Sequence, residues 1–222
     1  MLFFKKSWPA PACLEIEKKK VNGDYKCGDV LPRLMKDFKN KCYICEQKEP
    51  TSINVEHFIP HKGDTELKFN WDNLFWSCSH CNNIKSDKYT NILKCTDIND
   101  DVEHKLKYIF KPFPFEKVKI ESLDQDDKTS NTRDLLLKVY NGHTPLKQIE
   151  SSNIRNKLLQ EIKSFQENLI EYFKDTIDED DKKYLLIKIK QHLSSGSNFT
   201  SFKRWIIREN KTLYNEFQQY LN

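Results

Sequence analysis

Two short cysteine pairs constrain this 222-residue chain more than any other feature: Cys42-Tyr43-Ile44-Cys45 and Cys78-Ser79-His80-Cys81, with 32 residues between them. Four thiolates in two Cys-x2-Cys knuckles match a closed tetrahedral zinc site. Such a zinc has no open position, so it folds a protein rather than activating water. Cys13, Cys27 and Cys95 bring the total to seven. An odd count without a secretory signal argues against a disulfide scaffold, and these three are expected to be free buried thiols.

The rest of the composition excludes several classes. There are only five glycines, and none lies in a Gly-x-Gly or Gly-x4-Gly-Lys pattern. A P-loop and a dinucleotide-binding turn are therefore absent, and any ATP dependence must come from another chain. No apolar run approaches the roughly 18–20 residues of a membrane span. The opening residues lack the apolar stretch of a signal peptide. A soluble, cytoplasmic protein without membrane contact is expected.

Three regions follow from the pattern. Residues 1–40 form an N-terminal segment with a helix expected over 31–39. Residues 41–95 hold the cysteine pairs. Residues 96–222 read as a mainly helical C-terminal domain, interrupted by the period-two alternation Lys117-Val118-Lys119-Ile120-Glu121 of a half-buried strand. Ser151 or Ser152 is expected to cap an amphipathic helix through Phe173, Asp178 a second helix, and Thr200 a third. A fourth runs from Leu213 to Leu221, and 124–128 reads as a solvated loop. Residues 1–95 carry 16 Lys/Arg against 12 Asp/Glu, whereas residues 96–222 carry 21 of each. The basic surplus thus sits with the cysteine pairs, which favours a polyanionic partner.

Between the pairs, Ser52 to Phe58 alternates as a strand, Leu74 to Ser77 reads as a second strand, and Ser79 opens a helix. The expected fold class is α+β, mainly α. The residues of interest are Glu56-His57-x2-Pro60, then Asn73-Leu74-x3-Cys78-x2-Cys81-Asn82-x2-Lys85. Hydrolysis of a phosphodiester needs an activated water and a stabilised leaving oxygen. His57 suits the base, because imidazole titrates near neutral pH. Glu56 and Asn82 offer hard oxygen donors to Mg²⁺ or Mn²⁺. A regular strand would turn Glu56 and His57 to opposite faces, so one site for both requires a twist or bulge. His61, Lys62, Lys85 and Lys88 are candidate phosphate contacts. Trp71 is expected in the core around the zinc, and His80 is expected to be exposed and uninvolved.

At these residues the sequence resembles the HNH endonucleases, zinc-stapled members of the ββα-metal nucleases. The resemblance covers about 50 residues. It implies a ββα-metal core on the four-cysteine zinc, one catalytic divalent metal held by Glu56 and Asn82, and His57 as general base. It also implies that Asn73 orients the loop that carries His57. Asn82 stands where His is more usual, and Glu56 where Asp is more usual, which leaves the metal preference open. The whole chain also resembles the small HNH proteins of the PtuB type, found in Septu and some retron anti-phage defence systems. That resemblance implies a PtuA-like ATPase partner docking on the C-terminal helices. The alternatives are a non-catalytic zinc module that binds nucleic acid, DNA or RNA, and one that only presents a surface to a protein partner.

Overall fold

The N-terminal segment packs into the same apolar core as the cysteine knuckles. The computed structural model describes residues 1–112 and 117–221. Helix α1 (Cys13–Lys18) and helix α2 (Val30–Asp37) lie in this segment. α2 buries Val30 and Leu34, and Phe38 follows with its ring 5.2 Å from Phe4, 5.4 Å from Phe75 and 6.3 Å from Tyr43. Each such side chain contributes about 1.5–3 kcal/mol by leaving water, so this cluster anchors the segment. Cys13 and Cys27 are not free thiols, because they form a disulfide that closes a loop containing α1. Cys95 is buried and free, as the sequence suggests.

The central hairpin pairs strand β1 (Ile53–His57) with strand β2 (Leu74–Cys78), antiparallel, from Ile53 opposite Cys78 to His57 opposite Leu74. Helix α3 (Thr65–Phe69) sits in the connection between the two strands. Asp64 starts it by accepting the backbone N–H groups of Glu66 and Leu67. This satisfies donors left open at a helix N-terminus. Helix α4 (Ser79–Lys85) follows β2 directly. The order strand, strand, helix is therefore the ββα unit, placed in an α+β fold that is mainly helical.

Strand β3 (Leu106–Ile109) and strand β4 (Lys119–Ser122) make a second antiparallel hairpin. In β4, Ile120 is buried between exposed Lys119 and Glu121, as the alternation requires. Helix α5 (Asp127–Asn141) is capped by Asp126, whose side chain accepts Thr129 N–H. The acidic stretch 124–128 therefore starts a helix rather than forming only a loop. Helix α6 (Pro145–Tyr172) begins more than a turn before Ser151, because Thr144 caps it and Pro145 takes the first helical turn. At 28 residues it is about 42 Å long and spans two cores. Its first half joins the main core through Ile154, Leu158 and Ile162. Its second half, through Phe165, Leu169 and Tyr172, meets helix α7 (Glu179–Leu193), helix α8 (Thr200–Glu209) and helix α9 (Lys211–Phe217) in a separate apolar cluster.

Among the described residues, no helix is long and apolar enough to cross a membrane.

Candidate functional site

The first knuckle is shaped by its own backbone. Cys42 N–H donates to Gln47 O at 3.0 Å, and Glu46 N–H donates to Cys42 O at 2.9 Å. Glu46 takes the left-handed conformation, φ 58°, that closes the turn. Tyr43 N–H reaches Trp76 O at 3.0 Å and fastens the knuckle to β2. The second knuckle uses the start of α4, with Cys78 as its N-cap and Cys81 in its first turn. All four cysteines are buried, and their sulfurs lie within 4.8 Å of one another. The Cys45 and Cys78 sulfurs are 3.9 Å apart. Zinc–sulfur bonds of about 2.3 Å put tetrahedral sulfurs about 3.8 Å apart. The donor set and its spacing therefore fit zinc.

The C-terminal helices grip these knuckles from behind. The Tyr140 hydroxyl donates to Cys45 O at 2.8 Å. Glu46, almost fully buried, accepts Ser201 N–H at 2.9 Å and so covers the N-terminus of α8. His80 is not a bystander: it bonds to Glu150 of α6 and, at 2.9 Å, to Val139 O of α5.

Beside the zinc site, at the open end of β1, lies a cavity of about 480 Å³. Glu56 and His57 line it from β1, Pro60, His61 and Lys62 from the following loop, and Asn82 from α4. The neighbours Glu56 and His57 both line this cavity although β1 pairs in regular register through Glu56–Phe75 and His57–Leu74.

His57 is held firmly. Its Nε2 lies 2.9 Å from Lys68 O. A carbonyl can only accept, so Nε2 carries the proton and Nδ1 keeps its lone pair. The ring packs against both Tyr25 and His61, each with its centroid 4.6 Å away and edge-on. Burial holds the imidazole below its ordinary pKa, and the bond to Lys68 opposes this in part. His57 is thus neutral at neutral pH, the form a base requires.

Glu56 is 5 % exposed and has an unusual partner. Lys85, expected to face phosphate, is instead fully buried, with Nζ 2.8 Å from Glu56 Oε1 and 2.9 Å from Phe58 O. Its place on α4 turns it inward beneath β1, so it cannot meet a substrate. Burial pushes the Glu56 carboxyl up to about 7, against the pull of Lys85. Among the described residues, no hydrogen bond of good geometry reaches either Glu56 oxygen. A carboxylate that is ion-paired with Lys85 but takes no such hydrogen bond, lining one cavity with Asn82, has lone pairs left for a hard cation.

Asn73, also buried, clamps the loop between the strands. Its Oδ1 accepts Ile59 N–H at 2.7 Å, and its Nδ2 donates to Ile59 O at 2.8 Å and Leu67 O at 3.0 Å. Both ends of the segment that presents Pro60 and His61 are thereby fixed. His61 Nδ1 accepts Gly63 N–H at 3.2 Å, and Lys62 is exposed at the cavity mouth. Lys88 is exposed but does not line the cavity. Trp71 is buried and donates to Ser7 O at 2.9 Å, so it belongs to the core.

Sequence reasoning missed three parts of this site. Lys68 acts through a carbonyl, which no residue type announces. The Lys85–Glu56 pair needs the packing of α4 on β1. Tyr25 arrives from the N-terminal segment, outside the motif. A larger cavity of about 640 Å³ lies between α6, α7 and the loop before α8. Two of its ionisable lining groups, Glu161 and His192, are held by Lys203, whose Nζ is 3.2 Å from Glu161 and 3.3 Å from His192 Nδ1.

Residues 42–88 match the family model of the HNH endonucleases. The chain is also similar to the Septu protein PtuB of Bacillus thuringiensis, at 40 % identity over 55 residues. That match takes in 23 % of this chain and 21 % of the relative, so it spans about a fifth of that protein's length.

Proposed function

We propose that this chain is a metal-dependent endonuclease that hydrolyses phosphodiester bonds in DNA or RNA. The observation that carries the reading is His57: neutral, fixed through Nε2 to Lys68 O, with Nδ1 left for a water, in one cavity with Glu56 and Asn82. His57 Nδ1 takes the proton from the attacking water. Asn73 keeps the loop around His57 and His61 in place. His61 and Lys62 face the substrate phosphate from the cavity wall, and Lys88 steers nucleic acid from farther out. Glu56 and Asn82 would hold one Mg²⁺ or Mn²⁺, which supplies charge stabilisation to the leaving oxygen when bound. Cys42, Cys45, Cys78 and Cys81 hold the structural zinc.

The likeness to PtuB and the HNH match support a role as the effector of a Septu-type anti-phage defence system. In this role a PtuA-like ATPase partner docks on the C-terminal domain, residues 96–222. The absence of a P-loop in the sequence is consistent with that division of labour.

One observation favours a second reading, a non-catalytic zinc module that binds nucleic acid or a protein partner. Glu56 already has a buried cation beside it, so its charge is answered without a metal. A cleavage assay separates the two. The full chain, alone and with the ATPase supplied, is incubated with supercoiled plasmid, single-stranded DNA and tRNA, with Mg²⁺ or Mn²⁺ added or omitted. The nuclease reading expects cleavage that requires the added metal. Salt-sensitive binding without metal-stimulated cleavage of any of the three would overturn it in favour of the second.

A further inference from the structure

The loop closed by the Cys13–Cys27 disulfide reaches the His57 site through Tyr25. It is mounted on α3, the helix whose backbone also holds the histidine. Lys68 is the centre of that mount: its carbonyl accepts from His57 Nε2, and its Nζ donates to Gly23 O at 2.9 Å. Lys18, at the end of α1, pairs with Glu66 of α3. Gly23 lets the loop fold tightly back on α1, because a Cβ there would lie 1.9 Å from Glu17 O, and it would also meet Phe69 of α3 at 3.0 Å. Two residues farther on, Tyr25 sets its ring against the imidazole, with centroids 4.6 Å apart and planes at 67°. Tyr25 is not among the residues that line the cavity.

We propose that Tyr25, carried on the disulfide-closed loop, is a positioning residue for His57. Its ring blocks rotation of the imidazole away from Lys68 O, and so keeps Nδ1 turned to the cavity. The N–H···O bond alone fixes one atom of the ring; the two edge-on contacts from Tyr25 and His61, each with its centroid 4.6 Å away, restrict its plane. Such packing matters because a catalytic group displaced by about 1 Å loses on the order of a hundredfold in rate. The loop is thus part of the catalytic machinery although it lies outside the matched segment. This role rests on His57 serving as the base, as proposed above.

The test compares wild type, Tyr25→Ala, Tyr25→Phe and Cys13→Ser/Cys27→Ser as full chains of equal zinc content, on plasmid and tRNA with Mn²⁺. Tyr25→Ala is expected to lower kcat by roughly ten- to a hundredfold with KM within about twofold. Tyr25→Phe, which keeps the ring, is expected to stay within about twofold of wild type in both. The double serine variant is expected to lie between them, because the loop loses its closure but keeps Lys68 and Gly23 joined. In parallel, long-range proton–nitrogen spectra of histidine-labelled protein read the His57 tautomer without any cleavage. Wild type and Tyr25→Phe are expected to show one Nε2-protonated form, and Tyr25→Ala an averaged signal.

If Tyr25→Ala raises KM and leaves kcat alone, Tyr25 contacts substrate and the proposal is overturned. Unchanged kinetics and an unchanged tautomer in Tyr25→Ala also overturn it, while cleavage by wild type leaves the nuclease reading standing. If wild type cuts neither substrate even with the ATPase partner supplied, the nuclease reading is what fails, and the spectra still decide whether Tyr25 holds the ring.

Discussion

Replacing Glu56 by Gln should cost the fold far more than a substitution at a cavity wall normally would. The reason is Lys85, which is fully buried and has its Nζ 2.8 Å from Glu56 Oε1. Without the carboxylate, the ammonium keeps only neutral acceptors, the Gln amide oxygen, Phe58 O and a distant His57 O, with no opposite charge. Breaking a buried pair from one side typically costs about 3–5 kcal/mol. For a chain of this size, about 2–4 °C per kcal/mol gives a fall in Tm of roughly 6–20 °C. The reverse change, Lys85→Met, should cost less at neutral pH. Burial has already pushed the Glu56 carboxyl up to about 7, so it can take a proton and go neutral. The sign follows from linkage: with the folded pKa raised, a lone Glu56 burdens the fold above pH 7 and is relieved as pH falls towards 4.5. Lys85→Met should therefore be closer to wild type at pH 6 than at pH 8. The double variant Glu56→Gln/Lys85→Met should recover much of what Glu56→Gln loses. Thermal unfolding of zinc-loaded proteins at both pH values measures all of this. A Glu56→Gln Tm within about 2 °C of wild type, below 1 kcal/mol, would refute the reasoning and leave Glu56 as a solvated cavity residue.

Three other perturbations have defined outcomes. Asn73→Ala orphans the Ile59 N–H, a loss of about 1–3 kcal/mol in denaturant unfolding; it should also lower kcat at unchanged zinc content, and an unchanged kcat would separate the clamp from the site. Cys78→Ser, or zinc removal by a strong chelator, should abolish the cooperative thermal transition, since a structural zinc contributes on the order of 10–16 kcal/mol; a retained sharp transition would show that the four cysteines fold without metal. Burial, aided by Lys203, holds His192 down at about 4, so the unfolded chain binds the proton first and stability falls as pH drops from 6.5 towards 4. His192→Gln should lessen that fall, and a Tm difference from wild type that does not vary with pH would contradict it.

The motif was legible because zinc and hydrolysis both depend on residue type at fixed spacing. Four cysteines at knuckle spacing, an alternating strand ending in Glu-His, and an Asn just past the last cysteine needed no coordinates. Residues 53–57 and 74–78 are paired strands, and the helix opens at Ser79 as its position suggested. What stayed hidden depends on three-dimensional closure. Lys85 has the sequence context of a surface lysine, and only the packing of α4 on β1 turns it inward. His80 looks idle between two ligands until α5 and α6 are brought beside it. The Cys13–Cys27 bond was missed because an odd cysteine count was read for the whole chain, whereas pairing is decided by local proximity. The helix starts at Asp127 and Pro145 were hidden for a simpler reason: polar first turns carry no apolar stripe, and only Asp126 and Thr144 as caps mark them.

The central claim is that His57 is the base of a metal-dependent cleavage reaction. Single-turnover cleavage by His57→Ala, with zinc content and nucleic-acid binding measured alongside, tests it most directly. The expected result is a loss of about 10²–10⁴-fold in the cleavage rate at unchanged zinc and binding. Cleavage at the wild-type rate by a zinc-loaded His57→Ala protein would contradict it.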